Sequence, residues 1–358
     1  MYRKVILTGF FFLLTGGSLL WSQPDTLEVF EGGIHDGSLL IRHYVRPWQE
    51  AFSLDLNAGW FHTAKVHELG GVDVMVSASM TVVPQDARTF DLSAVGFDTL
   101  KVAGGDPVAP TVAGPTAEGP ELYYSEMYNG NSVDVARFRA PAGTGYDHVY
   151  TPMLQVGLGL PAGTDIKGRV MIPVDVPRSN SRMSLIGFGI KHDLKQWMQG
   201  IEDLPVAVAF FAGYSHMQIY SGFREEPDDY TYMEDYRPAH FSGQEIRTIL
   251  QGYAFDLILS SDIPYVNVYA AVGYFRSWGR MEVNGRIPVP VFDPDLNPDK
   301  AIYTDDHVYR VPDTDLHLDS GVRVSAGLRL NVSLFVLHLG YAWAGNSVYS
   351  AGLGISFR

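Results

Sequence analysis

The chain has 358 residues, a formal charge of −14 and no cysteine. Disulfides, thiol catalysis, zinc–cysteine sites and a lipoprotein anchor are therefore excluded, and so acidic a chain lacks the basic footprint that nucleic-acid binding needs. Its 37 glycines, 20 tyrosines and 19 phenylalanines suit an exported protein built of glycine- and tyrosine-rich strands.

In chain order, MYRK, then VILTGFFFLLTGGSLL, then WSQP reads as a secretory signal peptide over residues 1–22, cleaved near Ser22. Its removal takes Arg3 and Lys4 and lowers the charge from −14 to −16. No later run is apolar and long enough for a spanning helix. Residues 23–52 are not strand-like. Thr26–Glu31 and Asp36–Val45 each open on a helix-capping residue, and Pro47 ends the second predicted helix. Leu39, Leu40, Tyr44 and Val45 give that helix an apolar surface, fit either to plug a lumen or to lie as a periplasmic tail.

From residue 53 onward the expectation is a barrel. The set Leu318, Ser320, Val322, Val324, Ala326, Leu328, Leu330 and Val332 alternates with Asp319, Gly321, Arg323, Ser325, Gly327, Arg329 and Asn331. A period of two places one set against something oily and the other against something polar. The same alternation recurs at 72–82, 154–160, 166–172, 335–343 and 349–358, and more weakly in four longer tyrosine-, phenylalanine- and tryptophan-rich runs between 182 and 283. Many of these runs reach the length a tilted strand needs to cross a bilayer. The fold class predicted is all-β: a transmembrane antiparallel barrel with an apolar lipid face and a polar lumen. A secreted soluble β-protein is the competing class.

Short links at 161–164, 261–265 and 331–333 are assigned to the periplasmic side, and 174–181, 221–244 and 284–316 to the outer side. DLKQWMQGIEDLP, within 192–205, reads as a short amphipathic helix at the inner interface, with Trp197 as anchor. Residues 84–88 are read as one more periplasmic turn. An odd number of strands then falls between 89 and 152, giving twelve or fourteen in all, with fourteen preferred.

Three phrases carry a family resemblance: LNAGWFHTAKVHELGGVDVMVSASMTVVP (56–84), PMLQVGLGLPAGTDIKGRV (152–170) and GIKHDLKQWMQGIEDLPVAVAFFAGYS (189–215). Over nearly the whole mature chain the protein resembles a family of uncharacterised outer-membrane barrels, recorded as a domain of unknown function. That family is in turn similar to FadL-type transporters of hydrophobic compounds. The resemblance implies the outer membrane of a Gram-negative bacterium, lipid as surroundings, and the barrel-assembly machinery as a partner through the C-terminal strand. Here the aromatic residue is penultimate, Phe357, and Arg358 follows.

Arg323, Arg329, Asp319, His338, Lys167 and Arg169 are the candidate lumen residues, and Lys191 joins them. A positive patch could hold a ligand carboxylate, arginine being suited to bidentate pairing. The competing reading pairs them structurally, across strands or with Glu31 and Asp36. DPDLNPD (293–299) spaces its acids like the opening of a calcium loop, yet Pro298 and Thr304 stand where such a loop needs glycine and glutamate. His62, His67 and Glu68 lack metal-ligand spacing, and no serine is marked as a partner for His216 or His338. The expectation is thus no enzyme, no cofactor and no metal. The expected function is passive, plug-gated uptake of a small hydrophobic or amphiphilic compound. The alternative is a structural or surface-interaction barrel with a filled lumen and acidic outer loops.

Overall fold

The computed structural model describes residues 28–30, 33–128, 131–176, 181–200, 203–223, 227, 231–297 and 301–357. The leader expected at 1–22 lies outside them, as do Glu31, Pro298 and Asp299. Ten strands form a closed antiparallel barrel: β1 (Val72–Val82), β2 (His148–Leu160), β3 (Thr164–Val176), β4 (Ser181–Asp193), β5 (Val206–Gly222), β6 (Glu245–Ser261), β7 (Val266–Asn284), β8 (Thr314–Val332), β9 (Phe335–Ala344) and β10 (Asn346–Phe357). Each pairs with its sequence neighbour, and β1 closes the ring on β10, from Val72 opposite Phe357 to Thr81 opposite Val348. The end carrying Val72 and Phe357 is called the inner end. It also holds the short links 161–163, 262–265 and 333–334, while 83–147, 223–244 and 285–313 join strands at the outer end.

The alternation has its expected consequence. Val322, Val324, Leu337, Leu339 and Leu353 stand on the outside of the wall, and Phe188 and Val322 are each 63% exposed. Between them Arg323, Arg329, His338, Arg169 and Lys191 point inward and are buried. Inward glycines make room for what fills the lumen. A Cβ at Gly187 would lie 3.0 Å from Trp60, from Ser215 and from the Arg169 stem, and one at Gly252 would lie 2.9 Å from the Asn57 amide.

The strand count departs from the twelve or fourteen expected. Residues 53–71 fill the lumen instead of entering the wall. Residues 83–147 form an insert on the outer end rather than barrel strands. The insert carries its own three-stranded sheet (Leu100–Val102, Glu121–Tyr128, Asn131–Arg139) and a two-stranded ribbon (Thr89–Asp91, Val108–Pro110). Residues 84–88 therefore lie at the outer end and do not form an inner turn.

Three further expectations change. The helix predicted to stop before Pro47 runs on as α1, Ile34–Asp55, with Pro47 inside it. Proline costs one backbone donor there, but packing on every side of the last five residues, Ala51 to Asp55, holds them helical. Among the described residues of 192–205 the one helical element is a single 3₁₀ turn, Lys195–Trp197, with Trp197 exposed. Asp319 was expected in the lumen but is exposed. A bulge shifts the β7–β8 register between Arg276 and Trp278, so the faces of β8 exchange above Ser320 and Leu316 turns inward.

The wall and its filling are a fitted pair. Gly187→Val, which forces Trp60 aside, is expected to cost about 1–3 kcal/mol in urea unfolding of the folded barrel. Gly168→Val, on the outer face where an added Cβ meets nothing within 4 Å, should leave the midpoint nearly unchanged.

Candidate functional site

The lumen is the site at which the chain's chemistry converges, and it is occupied by the chain itself. α1 begins at the outer end, where its stripe of Leu40, Ile41, Tyr44, Trp48 and Phe52 packs on the insert and on the outer halves of the strands. Each such side chain, removed from water, contributes about 1.5–3 kcal/mol. The insert clamps the helix. The Asp36 carboxylate accepts hydrogen bonds from the backbone of Asp98 (2.9 Å), Thr99 (2.8 Å) and Leu100 (2.8 Å), and from the Thr99 hydroxyl (2.8 Å). Burial pushes this carboxyl up, but the four donors outweigh it and hold the group below its ordinary range. Lower down, the Val112 amide donates to the Tyr44 carbonyl, and the Tyr44 hydroxyl donates to the Ala142 carbonyl at 2.8 Å.

Below Trp48 the segment descends through the wall in steps. Asp55 accepts from Thr81 at 2.6 Å and Thr151 at 2.8 Å. Gln155 donates to the Trp60 carbonyl at 3.2 Å, and Ser260 accepts from the Ala64 amide at 3.0 Å. The backbone of Gly70 and Gly71 meets Gly159 at 3.0 and 2.8 Å, just before β1 begins. Along β2 the partners run Thr151, Gln155, Gly159, from outer to inner end. One pass of chain, 34–71, thus spans the barrel from mouth to base.

The charges expected to await a ligand hold this segment. Arg169 donates to the carbonyls of Leu56 and Ala58 and to the Ser215 hydroxyl, and its guanidinium lies 3.6 Å from the centroid of Trp60. Arg323 donates to the carbonyl of Asn57 and to Asp256, the latter at 2.5 Å. Residues 56–58 directly follow α1, so two cations from opposite walls meet the negative pole of the helix.

Toward the base, Arg329 bonds His62 at 2.8 Å and Asn331 at 2.7 Å. His338 stacks on His62, with ring centroids 5.5 Å apart. Lys191 pairs with Asp165 at 3.0 Å and donates to the Lys65 carbonyl at 2.6 Å, and Asp165 also takes the backbone and ring nitrogens of His67. Lys167 is buried among these groups and acts electrostatically on Asp73, which lies 3.6 Å from both His62 and His67.

The structural pairing is therefore the arrangement present, with one change of partner. Arg169 and Arg323 meet backbone carbonyls of 56–58 and Arg329 meets His62 and Asn331, whereas Asp36 belongs to the insert clamp. Leu40 and Tyr44 are buried, and Leu39 is half-buried on the same helix. His62 and His67 flank Asp73, but Glu68 is exposed at the inner end. Among the described residues only His35, Asp36 and Asp98 bring three ligand atoms together, and the Asp36 oxygens there are already taken. Asp55, Asn57, Trp60 and Asp256 were not among the expected site residues. Asp256 had the same signal as Arg323, a charge in the inward register of an apolar strand. The 53–71 stretch lacks any period of two.

An acidic, cysteine-free chain that folds as a closed antiparallel barrel around its own N-terminal segment defines the class: a self-plugged β-barrel. Within that class, the chain belongs to the family of unknown function DUF6588, whose pattern matches residues 1–357. No curated protein matches it. Among solved structures, the toluene transporter TodX of Pseudomonas putida is similar at 8% identity and a TM-score of 0.31, over 81% of this chain and 68% of that one. The translocator domain of the autotransporter NalP of Neisseria meningitidis is similar at 9% and 0.30, over 82% and 90%. The attachment invasion locus protein Ail of Yersinia pestis is similar at 9% and 0.23, over 81% and 99%. Likenesses this distant carry no argument about what this chain does.

Arg323 and Asp256 form a buried pair, so removing one partner strands the other. Arg323→Leu is expected to destabilise the folded barrel by about 3–5 kcal/mol, read as a drop in the urea midpoint. Arg323→Leu with Asp256→Leu should recover most of that loss, because no uncompensated charge remains.

Proposed function

We propose that this protein is an outer-membrane β-barrel, sealed by its own N-terminal segment, whose working surface is its outer end. The apolar exterior supports the membrane placement. An apolar band this large is unstable in water and stable against lipid. Aromatic residues border it, with Tyr214, Trp278 and Tyr341 toward the outer end and Tyr265 and Phe335 at the inner end. Among the described residues no helix is long and apolar enough to cross a membrane.

The observation that carries the sealed reading is the chain of contacts from Asp55–Thr151 to Gly71–Gly159. A solute would have to break these to pass. The lower lumen is also a poor path for a hydrophobic compound, since arginine, lysine, aspartate and histidine fill it. The outer end, by contrast, presents surface of strong character. The connections 83–147, 223–244 and 285–313 hold 21 of the chain's 40 acidic residues but only nine of its 26 basic ones. A partner there would carry positive charge, and its association would weaken with salt.

A second reading, uptake past a displaced helix, has one observation in its favour. The wall facing α1 is lined by Met153, Met171, Met217 and Met281, soft side chains that adapt to a changed neighbour. Conductance in planar bilayers separates the two. The intact barrel and a variant lacking Gln23–Trp48, each first shown to be folded by its heat-modifiable mobility, are expected not to conduct, because 53–71 still packs the lower lumen. Stable channels from the truncated form would overturn the sealed reading in favour of a removable plug.

A further inference from the structure

Where the chain leaves β7 and returns to β8, the outer end carries a cleft of about 470 Å³, within the size of small-molecule sites. Its lining joins two buried valines, Val283 and Val311, to Arg286, Arg310 and the half-buried His240. A short ribbon builds it: Ile287 pairs with Tyr309 and Pro288 with Val308, so Arg286 and Arg310 flank the same end of that ladder. Gly285 makes the approach. Its φ of +110° suits glycine, and a Cβ there would lie 2.6 Å from the Gln244 side chain. The Gln244 amide then fastens the turn by donating to the Arg286 carbonyl at 2.6 Å.

Like charges at facing positions of a ladder destabilise it. Acids able to cancel them are plentiful at this end, yet neither guanidinium has a hydrogen-bond or ion-pair partner among the described residues. The acid of the cleft, Asp313, is turned instead to Arg280 at 3.8 Å, and Arg280 also pairs with Asp315 at 3.3 Å. We propose that this cleft binds a small water-soluble molecule through a phosphate or carboxylate group held between Arg286 and Arg310. Two guanidinium forks suit the oxygens of such a group, and its charge removes the repulsion between them. Val283 stands on the inward face of β7 with Met281, so the cleft lies over the barrel's mouth and not on its lipid side. That placement favours a dissolved ligand over a lipid headgroup. The acidic surroundings repel an extended polyanion and admit a compact one. This site is distinct from the acidic surface assigned above to a cationic partner, and binding to it does not depend on the membrane orientation.

Calorimetric titration of the folded barrel in detergent tests the site, with inorganic phosphate and acetate as separate probes in a low-salt buffer free of other oxyanions. The expected result is saturable one-site binding of at least one probe, and the tighter probe identifies the group recognised. Arg286→Gln and Arg310→Gln, both at exposed positions, should each weaken it by about tenfold. Arg139→Gln, which removes a 62%-exposed charge from the insert, should leave it unchanged. No saturable binding of either probe would overturn the proposal. So would binding that is insensitive to either cleft substitution, or that Arg139→Gln weakens equally, since diffuse surface charge would then be responsible.

Discussion

The structure depends on two guanidinium groups, those of Arg169 and Arg323, set against the carbonyls of residues 56–58. A buried arginine is tolerable only where its donors are satisfied and its charge is compensated. Here the compensation comes from Asp256 on one side, the Trp60 ring on the other, and the C-terminal pole of α1 between them. The helix in turn needs these cations, because its last carbonyls end in a lumen without bulk water. Neither the wall nor the threaded segment is a stable object alone. The segment would leave the wall's charges unpaired by its absence, and the barrel would leave the helix end bare.

From that mutual need the rest follows in two layers. The outer half of the lumen is apolar, with methionines and leucines of the wall around the stripe of α1, and the insert closes over it through the Asp36 clamp. The inner half is polar, with Lys191, Asp165, His67, His62 and Arg329 knitting residues 62–67 to the base. Lumen-facing glycines set the bore. Where the wall carries Gly187 or Gly252, a side chain of the threaded segment occupies the space. An acidic outer surface is compatible with such a stem, because it does not require the stem to open.

Much of the wall was legible in the sequence because a period of two is a direct imprint of a sheet with two different solvents on its faces. Val322–Leu330 on one side and Arg323–Arg329 on the other need no further information. Asp319 escaped that logic because a single bulge reverses the faces beyond it, and nothing in LHLDSG marks the bulge. The strand number escaped for a different reason. Residues 53–71 are apolar and aromatic enough to pass for wall, and 121–139 has real strand character spent on the insert sheet. The helix length was misjudged because Pro47 was weighed by local propensity, whereas enclosure within the lumen overrides it. Apart from Asp319, the charged residues read as lumen-facing do point inward. Their partners were not legible, since backbone carbonyls at 56–58 leave no trace in residue type.

The central claim is that residues 56–71 lie inside the barrel along one fixed path. A Thr63→Cys/Ser260→Cys variant tests it most directly, since the two hydroxyl oxygens stand 3.2 Å apart across the gap between segment and wall and no native thiol competes. The account predicts a disulfide, formed in the folded barrel under mild oxidation and visible as a reducible mobility shift. Two free, titratable thiols in a barrel that is demonstrably folded would contradict it.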